Sequence, residues 1–263
     1  MNHNSLITGI NGFVATHLKK YLESQGDSVI GTTRDTIIDR NLLKECDCIY
    51  HLAANSSNKI GYTIMQENTM PLHLLLKYKQ PHTKILYVSS SEIYGVSENS
   101  TELTKPSPNA WYGYAKYMGE LMVTYSTDNY VIARPFNHTG IGQKTGFAIP
   151  NFIDKVNKAD KYITVGNLHS TRDYLDVTDV CRAYHLLMRS GKGVYNVCSG
   201  KPTIMGDILD RIIGLSGKTL TIVPSGNPTK IYGNNDKIKA LGWSAQKDIM
   251  RTVGEMYEYS TKN

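Results

Sequence analysis

A two-glycine turn, Thr8-Gly9-Ile10-Asn11-Gly12-Phe13-Val14-Ala15, constrains this chain more than any other stretch of it. It follows a short strand-like run at residues 5–8 and opens an amphipathic stretch at 13–25, with Gly26 just past the end as a helix stop. Glycine at position 9 permits a tight turn after a strand. Glycine at position 12 lets the backbone approach an anion at the positive end of the helix. Ala15 fills the third small position, where close packing of helix on strand accepts a methyl group. A glycine-rich turn alone is a weak signal. Strand, turn and helix in this order predict a pyrophosphate cradle, and hence a dinucleotide, over a plain turn, with Asn11, Phe13 and Val14 in the same cradle.

The rest of the first half continues the pattern. Strand-like runs at 28–33, 36–38, 48–52, 84–89 and 130–134 alternate with helix-like runs at 66–79 and 112–126, which predicts an α/β fold with a doubly wound parallel sheet. The connection between the runs at 28–33 and 36–38 is too short for the usual helix. Pro71 removes a donor in the middle of the 66–79 helix and crowds the preceding turn, so a kink that frees the Glu67 carbonyl is expected. A free carbonyl beside a cofactor would position a water; a harmless bend is the plainer reading. Beyond Arg134, Asn, Gly, Pro and Lys become frequent, elements shorten and the alternation breaks up, with helices read at 179–190, 204–215 and 246–259. A chain of 263 residues is long for one small core and short for two independent domains. The division expected is a dinucleotide-binding domain at 1–134 and mainly a substrate lobe at 135–263, some of whose segments return to the sheet. No internal repeat is present.

Charge and cysteine usage narrow the function classes. The 29 basic and 23 acidic side chains leave +6 without a dense basic run. An anionic cofactor or substrate, or simply a basic solvated surface, explains this more simply than nucleic acid does. Cys46, Cys48, Cys181 and Cys198 form no CxxC pair and have no His at zinc-ligand spacing, so reduced buried thiols and no metal are expected. The start Met1-Asn2-His3-Asn4 has no charged leader, and no apolar run approaches membrane-span length. A cytoplasmic protein without membrane or nucleic-acid partners is the expectation.

Two further constellations carry chemistry. The end of the second strand-like run reads Gly31-Thr32-Thr33-Arg34, where an acidic residue would bind the ribose hydroxyl of NAD. Hydroxyls and a guanidinium, Thr33 and Arg34 above all, suit a 2′-phosphate and so NADP(H). Asp35 follows as the competing acidic group. Asp39 either accepts from an adenine amino group or caps the helix after it. The second constellation is Tyr112-Gly113-Tyr114-Ala115-Lys116, whose i,i+4 pair shares one helix face. A lysine ammonium near the phenol is expected to lower its pKa. Such a pair on an exposed face is inert; what raises it is Val88-Ser89-Ser90-Ser91-Glu92-Ile93-Tyr94-Gly95 at a strand end, because strand carboxyl ends line the ligand crevice. A serine there can bond a substrate oxygen while the tyrosine moves its proton.

Taken together, the Gly9/Gly12 turn, His51-Leu52-Ala53-Ala54, the Ser90 strand end and Tyr112/Lys116 resemble the extended short-chain dehydrogenase/reductase family in order and spacing. In the second half, Arg134-Pro135-Phe136-Asn137-His138-Thr139-Gly140-Ile141-Gly142-Gln143 resembles the substrate loop of nucleotide-sugar members. Val165-Gly166-Asn167-Leu168, Arg172-Asp173-Tyr174 and Val194-Tyr195-Asn196-Val197-Cys198-Ser199-Gly200 are most similar to the GDP-6-deoxy-4-keto-hexose reductases, close relatives of GDP-mannose 4,6-dehydratase. The resemblance implies a Rossmann-type sheet with a smaller C-terminal substrate-binding lobe, an NADP(H) cofactor, a nucleotide-diphosphate sugar as substrate and a homodimer joined through the helices carrying Pro71 and Tyr112. It implies Tyr112 as proton donor, Lys116 on the nicotinamide ribose and Ser90 on the C4 oxygen. Leu52, Ala53, Ala54 and Asn68 join the cofactor set. Ser91 and Asn137 contact the sugar, and Asn167, Arg172 and Lys230 the nucleotide diphosphate. Asn137 merely fixing its loop, and Arg172 pairing with Asp173 or Asp176, are the structural alternatives.

The chain departs from that pattern at Ala15, in the shortened connection after the second strand, at Ser225-Gly226-Asn227-Pro228-Thr229-Lys230, where relatives often place an arginine, and at Gly142-Gln143, where they carry proline. Glu92 occupies the place of a dehydratase base, but similar reductases keep it too. Ser91 excludes the Asp-Glu pair of the dTDP-glucose type. The loop at 137–143 and the shortness of the chain favour C4-ketone reduction, with 4,6-dehydration, C4 epimerisation or a non-catalytic dinucleotide sensor as alternatives.

Overall fold

Adjacent apolar residues on the strands, pointing to opposite faces, decide the layers. In the computed structural model, which describes residues 3–33, 36, 40–56 and 61–262, the first-half strands are β1 (Asn4–Thr8), β2 (Ser28–Thr32), β3 (Cys48–His51), β4 (Lys84–Val88) and β5 (Tyr130–Pro135). The helices between them are α1 (Phe13–Ser24), α2 (Arg40–Glu45), α3 (Tyr62–Tyr78) and α4 (Trp111–Ser126), and a 3-10 turn spans Ser91–Tyr94. Leu6, Ile49, Ile85 and Ile132 face one side and pack with Leu72 and Leu75 of α3 and Val123 of α4. Ile7, Tyr50, Leu86 and Val131 face the other and pack with Leu18 and Leu22 of α1. With both faces covered, the strands can pair in parallel, as they do.

The second half supplies β6 (Asn137–Thr139), α5 (Ala148–Lys158), β7 (Tyr162–Gly166), β8 (Thr171–Asp176), α6 (Val177–Ser190), β9 (Gly193–Val197), β10 (Pro202–Ile204), α7 (Met205–Ser216), β11 (Thr221–Ser225), β12 (Lys230–Ile231), α8 (Asp236–Lys239) and α9 (Ile249–Lys262). Strand β9 adds to β5 in parallel and completes a six-stranded sheet of order β2-β1-β3-β4-β5-β9. Helix α6 lies beside α1 on the face of Ile7, so segments from beyond residue 134 do return to the sheet. A second core joins Ile149, Phe152, Ile153 and Val156 of α5 to Ile208, Leu209 and Ile212 of α7 and to Val253 and Met256 of α9. Beside it lie the sheet β10-β8-β12, with β6 on β8, and the pair β11-β7. This is a Rossmann-like α/β fold.

Three elements differ from the sequence reading. Helix α5 sits where only shortened elements were expected, although its apolar side chains recur at helical spacing. Helix α3 starts four residues earlier than expected and runs unbroken through Pro71. Of the expected short strand at 36–38, Thr36 is a turn residue and the remainder lies outside the described residues, as do Arg34, Asp35 and Asp39. All four cysteines are buried and unpaired. No helix among the described residues is long and apolar enough to cross a membrane.

Candidate active site

The sheet changes winding direction at β1, its second strand: β2 flanks β1 on one side and β3 on the other. The loops leaving β1 and β3 therefore diverge and open a crevice at the carboxyl edge. Gly9 turns the chain there with φ of 71°. A Cβ on it would stand 3.0 Å from the Cα of Ala53, so the two loops touch and only glycine fits. The Ala53 amide donates to Thr8 Oγ1 at 3.0 Å, and that oxygen lies 2.9 Å from His51 Nδ1. Asn68 of α3 holds the same segment. Its Oδ1 accepts from the Asn55 amide at 3.0 Å, and its Nδ2 donates to the Asn55 and Ile64 carbonyls at 3.1 and 2.8 Å. Gly9, Ala53 and Asn68 thus shape the crevice wall from behind.

The crevice is a half-open cavity of about 970 Å³. At one end stand Gly12, Phe13 and Val14 at the start of α1, with Leu52 and Ala54 opposite. No side chain caps the N-terminus of α1, so none competes there for its first amides. Ser89, Ser90, Ser91 and Glu92 form the middle, below Tyr112 and Lys116 of α4, and Asn137, His138, Phe147 and Tyr174 form the far wall. Ser89 is buried on this wall and its hydroxyl has no partner. An uncapped helix start at one end and, in the middle, a Ser89 hydroxyl without a partner among the described residues fit a dinucleotide laid along the sheet edge. Asn11 sits exposed in the turn beside Gly12, and Thr33 bonds Thr36 through their hydroxyls at 3.2 Å just past β2.

Side-chain chemistry centres on α4, whose helical pitch puts Tyr112, Lys116 and Glu120 on one buried face. Lys116 is 2% exposed and its Nζ donates to the Val88 carbonyl at 2.7 Å. Burial pulls its pKa down to about 7, while Glu120 pulls the other way. Nζ stands 5.7 Å from the Tyr112 ring centroid and 5.2 Å from that of Tyr87. The expectation that the ammonium lowers the Tyr112 pKa is not met. Burial, and then the Glu92 carboxylate, push that phenol well above its ordinary value, so Tyr112 holds its proton at neutral pH. Ser90 Oγ accepts from the Glu92 amide at 3.1 Å, which leaves the serine proton free to donate elsewhere. His51, completely buried behind Lys116, falls to about 3 and stays neutral.

The residues read as binding the nucleotide diphosphate stand apart from this cavity. Asn167 has a left-handed backbone, φ 59°, and walls a separate hollow of about 240 Å³ with Ser225 and Gly226. Arg172 is half-buried and donates to the carbonyls of Thr171 and Thr229 at 2.8 Å and to Thr229 Oγ1 at 2.7 Å. It pairs with neither Asp173, which accepts from the Ser199 and Gly200 amides, nor Asp176, which caps α6. Lys230 is exposed, 3.9 Å from Glu98. Asn137 sits on the cavity wall and hydrogen-bonds the Tyr174 side chain. Among the described residues there is no group of three or more His, Cys, Asp or Glu that could hold a metal ion.

Residues to which the sequence assigned no individual role also line the cavity: Ser89, His138 and Tyr174, which lie inside the quoted motifs, and Phe147, which does not. His138 donates from Nδ1 to the Phe136 carbonyl at 3.0 Å, which fixes its tautomer, and burial lowers its pKa. Only its place next to Asn137 signals it. Arg134, read with the substrate loop, points instead into the core and clamps Glu120.

A doubly wound sheet with a crevice along its carboxyl edge and a Tyr-Lys pair on its wall defines a nicotinamide-dependent enzyme class. The family model for the NAD dependent epimerase/dehydratase family matches residues 5–198, and the chain belongs to that family. It is similar to the GDP-6-deoxy-D-mannose reductase of Pseudomonas aeruginosa, 28% identical over 96% of this chain and 95% of the relative. It is also similar to the GDP-6-deoxy-D-talose 4-dehydrogenase of Aggregatibacter actinomycetemcomitans, 29% identical over 97% and 93%. Among solved structures, RMD from Pseudomonas aeruginosa complexed with NADPH superposes with a TM-score of 0.86 at 24% identity, covering 99% of this chain and 100% of that one.

Proposed function

We propose that this protein is an NADP(H)-dependent reductase of the C4 ketone of a GDP-4-keto-6-deoxy sugar, with Tyr112 as proton donor. The observation that carries the proposal is a single cavity wall on which Ser90, Tyr112 and Lys116 meet the uncapped start of α1. The names of the two relatives, one a GDP-deoxysugar reductase and the other a GDP-deoxysugar 4-dehydrogenase, support the substrate class. The NADPH in the similar structure and the hydroxyls of Thr33 and Thr36 support the phosphorylated cofactor.

In this reading the cofactor supplies hydride when bound. The chain's own residues do the rest. Ser90, its lone pair already engaged by the Glu92 amide, donates its proton to the C4 oxygen and fixes the ketone's orientation. Tyr112 keeps its proton until that oxygen gains charge, then donates it. In its ammonium form Lys116 spends one N–H on Val88 and keeps two for the cofactor ribose and the phenolate left behind. Asn137 and Ser91 hold the sugar, and Arg172, Asn167 and Lys230 the diphosphate end. Gly12, Phe13, Val14, Leu52 and Ala54 seat the cofactor, with Asn11, Thr33, Arg34 and Asp39 toward its adenosine. Residues 1–134 serve as the cofactor domain and 135–263 mainly as the substrate lobe, in a cytoplasmic homodimer. Exposed Tyr62 and Met70 on α3, and Tyr114, Met118 and Tyr125 on α4, support a dimer face there.

A dehydratase is the second reading, because the exposed Glu92 lies on the same wall as Tyr112. One assay separates them: purified protein with GDP-mannose, with and without a separate dehydratase, while NADPH and NADH absorbance are followed. NADPH oxidation only after the dehydratase has acted is the expected result. Conversion of GDP-mannose without net cofactor use makes the protein a dehydratase. Tyr112→Phe abolishes turnover and leaves NADPH binding nearly intact; retained turnover removes Tyr112 from the mechanism.

A further inference from the structure

Glu120 lies one turn beyond Lys116 on α4, where a carboxylate would ordinarily pair with the lysine. It does not do so here. Arg134 of β5 takes both of its oxygens, Nε to Oε1 at 2.9 Å and Nη2 to Oε2 at 2.6 Å, with both side chains about 5% exposed. Arg134 is itself fixed, since its Nη1 donates to the Tyr94 hydroxyl at 2.8 Å and that hydroxyl donates to Asn196 Oδ1 at 2.8 Å. Among the described residues Lys116 forms no ion pair. Around its ammonium stand Tyr112 and Glu120 from its own helix, the Tyr87 ring of β4 and, from β3, His51, whose neutrality leaves the lysine without a second charge beside it. Beyond these, Glu92 and Tyr184 act on Tyr112.

We propose that Arg134 is a positioning residue: by holding the Glu120 carboxylate bidentately it denies that carboxylate to Lys116 and so sets the charge state of the lysine beside Tyr112. The proposal rests on the reading of Tyr112 and Lys116 as the proton-handling pair. Three ionised groups with a net positive charge are buried together, and the planar fork of arginine wins the carboxylate over the single ammonium. Lys116 is thereby left with a backbone carbonyl as its hydrogen-bond partner, and burial, with Glu120 acting on it only from a distance, brings its pKa down to about 7. The same clamp ties α4 through Tyr94 to the turn that carries Glu92, so the two walls of the cavity share one anchor.

The test follows the side-chain signals of carbon-13 lysine-labelled protein by NMR across pH, with Lys116 assigned by its loss in Lys116→Arg. In Arg134→Met the midpoint of Lys116 rises by about one pH unit or more as Glu120 turns to it. Arg134→Lys, which keeps the charge, stays nearer the parent value. Glu120→Gln, which leaves Arg134 unopposed, lowers the midpoint, and Glu120→Gln/Arg134→Met does not rise above the parent. Glu120→Gln keeps the proposal open to refutation if Arg134→Met fails to fold. An unmoved midpoint in Glu120→Gln, or the same rise with and without Glu120, overturns it. These titrations need neither cofactor nor substrate, so they fail independently of the Tyr112→Phe assay. In kinetics, the same variants move the pH limb of kcat/KM in the same directions, which a purely structural role would not do.

Discussion

At Lys116 and His51 the fold places two titratable side chains almost wholly out of solvent, and each leaves a mark on stability. His51 takes up a proton at about 3 in the folded chain, against an ordinary 6.5, because burial and the Lys116 charge both oppose its charged form. Between those values the unfolded chain binds the extra proton, so stability falls as pH drops from 6.5 toward 3, at about 1.4 kcal/mol per unit. Lys116 behaves alike at higher pH. Its folded value of about 7 lies under the ordinary 10.5, so stability rises from pH 7 toward 10.5 as the cost of burying an ammonium disappears. Scanning calorimetry across pH measures both slopes, and His51→Gln, which cannot titrate, flattens the acid one while leaving the alkaline one. The reactive groups themselves are legible in the sequence because each belongs to a local pattern: Tyr112 and Lys116 one helical turn apart, Ser90 at a strand end, Gly9 and Gly12 in one turn. Glu120 and Arg134 are not, because their pairing depends on how α4 settles on β5. Nor is the use of Asn68, whose amide is consumed by a loop thirteen residues away.

Among the elements, two helices are closed at their carboxyl ends by a lysine from elsewhere in the chain. Lys218 Nζ donates to the carbonyls of Val156, Asn157 and Ala159 at 2.9, 2.8 and 2.8 Å, finishing α5. Lys84 Nζ does the same for α6, reaching Met188 and Gly191 at 2.6 and 2.8 Å. A cation there meets the negative end of the helix and the carbonyls that have no partner inside it. Lys218→Met keeps the aliphatic stem and removes both effects, so a loss of roughly 1–2 kcal/mol in urea unfolding is expected. A change within error of zero sinks the capping argument. The same closure explains why α5 was not legible. Its apolar spacing is clear in retrospect, but Pro150 sits in its first turn and its terminus is satisfied by a residue sixty positions away. β1, β3, β4 and β5 of the first half are legible because each is a short apolar run covered on both faces. Two strands of the second half are half-exposed and read like loops: β7 alternates buried and exposed residues, and β11 has no buried residue at all.

For the whole molecule the question is what keeps the second core in register with the sheet, since the cavity is built from both. The N-terminal turn of α6 answers it. Asp179, 1% exposed, accepts from the Gln246 and Lys247 amides at 3.0 and 2.9 Å and from Arg182 Nη1 at 2.6 Å, while its carbonyl takes the Trp243 indole at 3.3 Å. One turn earlier Asp176 receives the Thr252 hydroxyl at 2.9 Å. The two carboxylates and the Asp179 carbonyl thereby hold residues 243–252, which lead into and begin α9, and α9 packs on α7 in the second core. Asp179→Ala takes the shared acceptor from two backbone amides and from Arg182, which is partly exposed and keeps the Ser244 carbonyl, and a loss of roughly 1–3 kcal/mol follows. The loss is also local. Freed from α6, the segment ahead of α9 becomes the first point of cleavage in limited proteolysis, while Lys218→Met, on the far side of the same core, leaves that site protected. Equal cleavage in both variants, or cleavage first elsewhere, would mean that the two cores are held together by apolar packing alone and that the acidic turn of α6 is not what joins them.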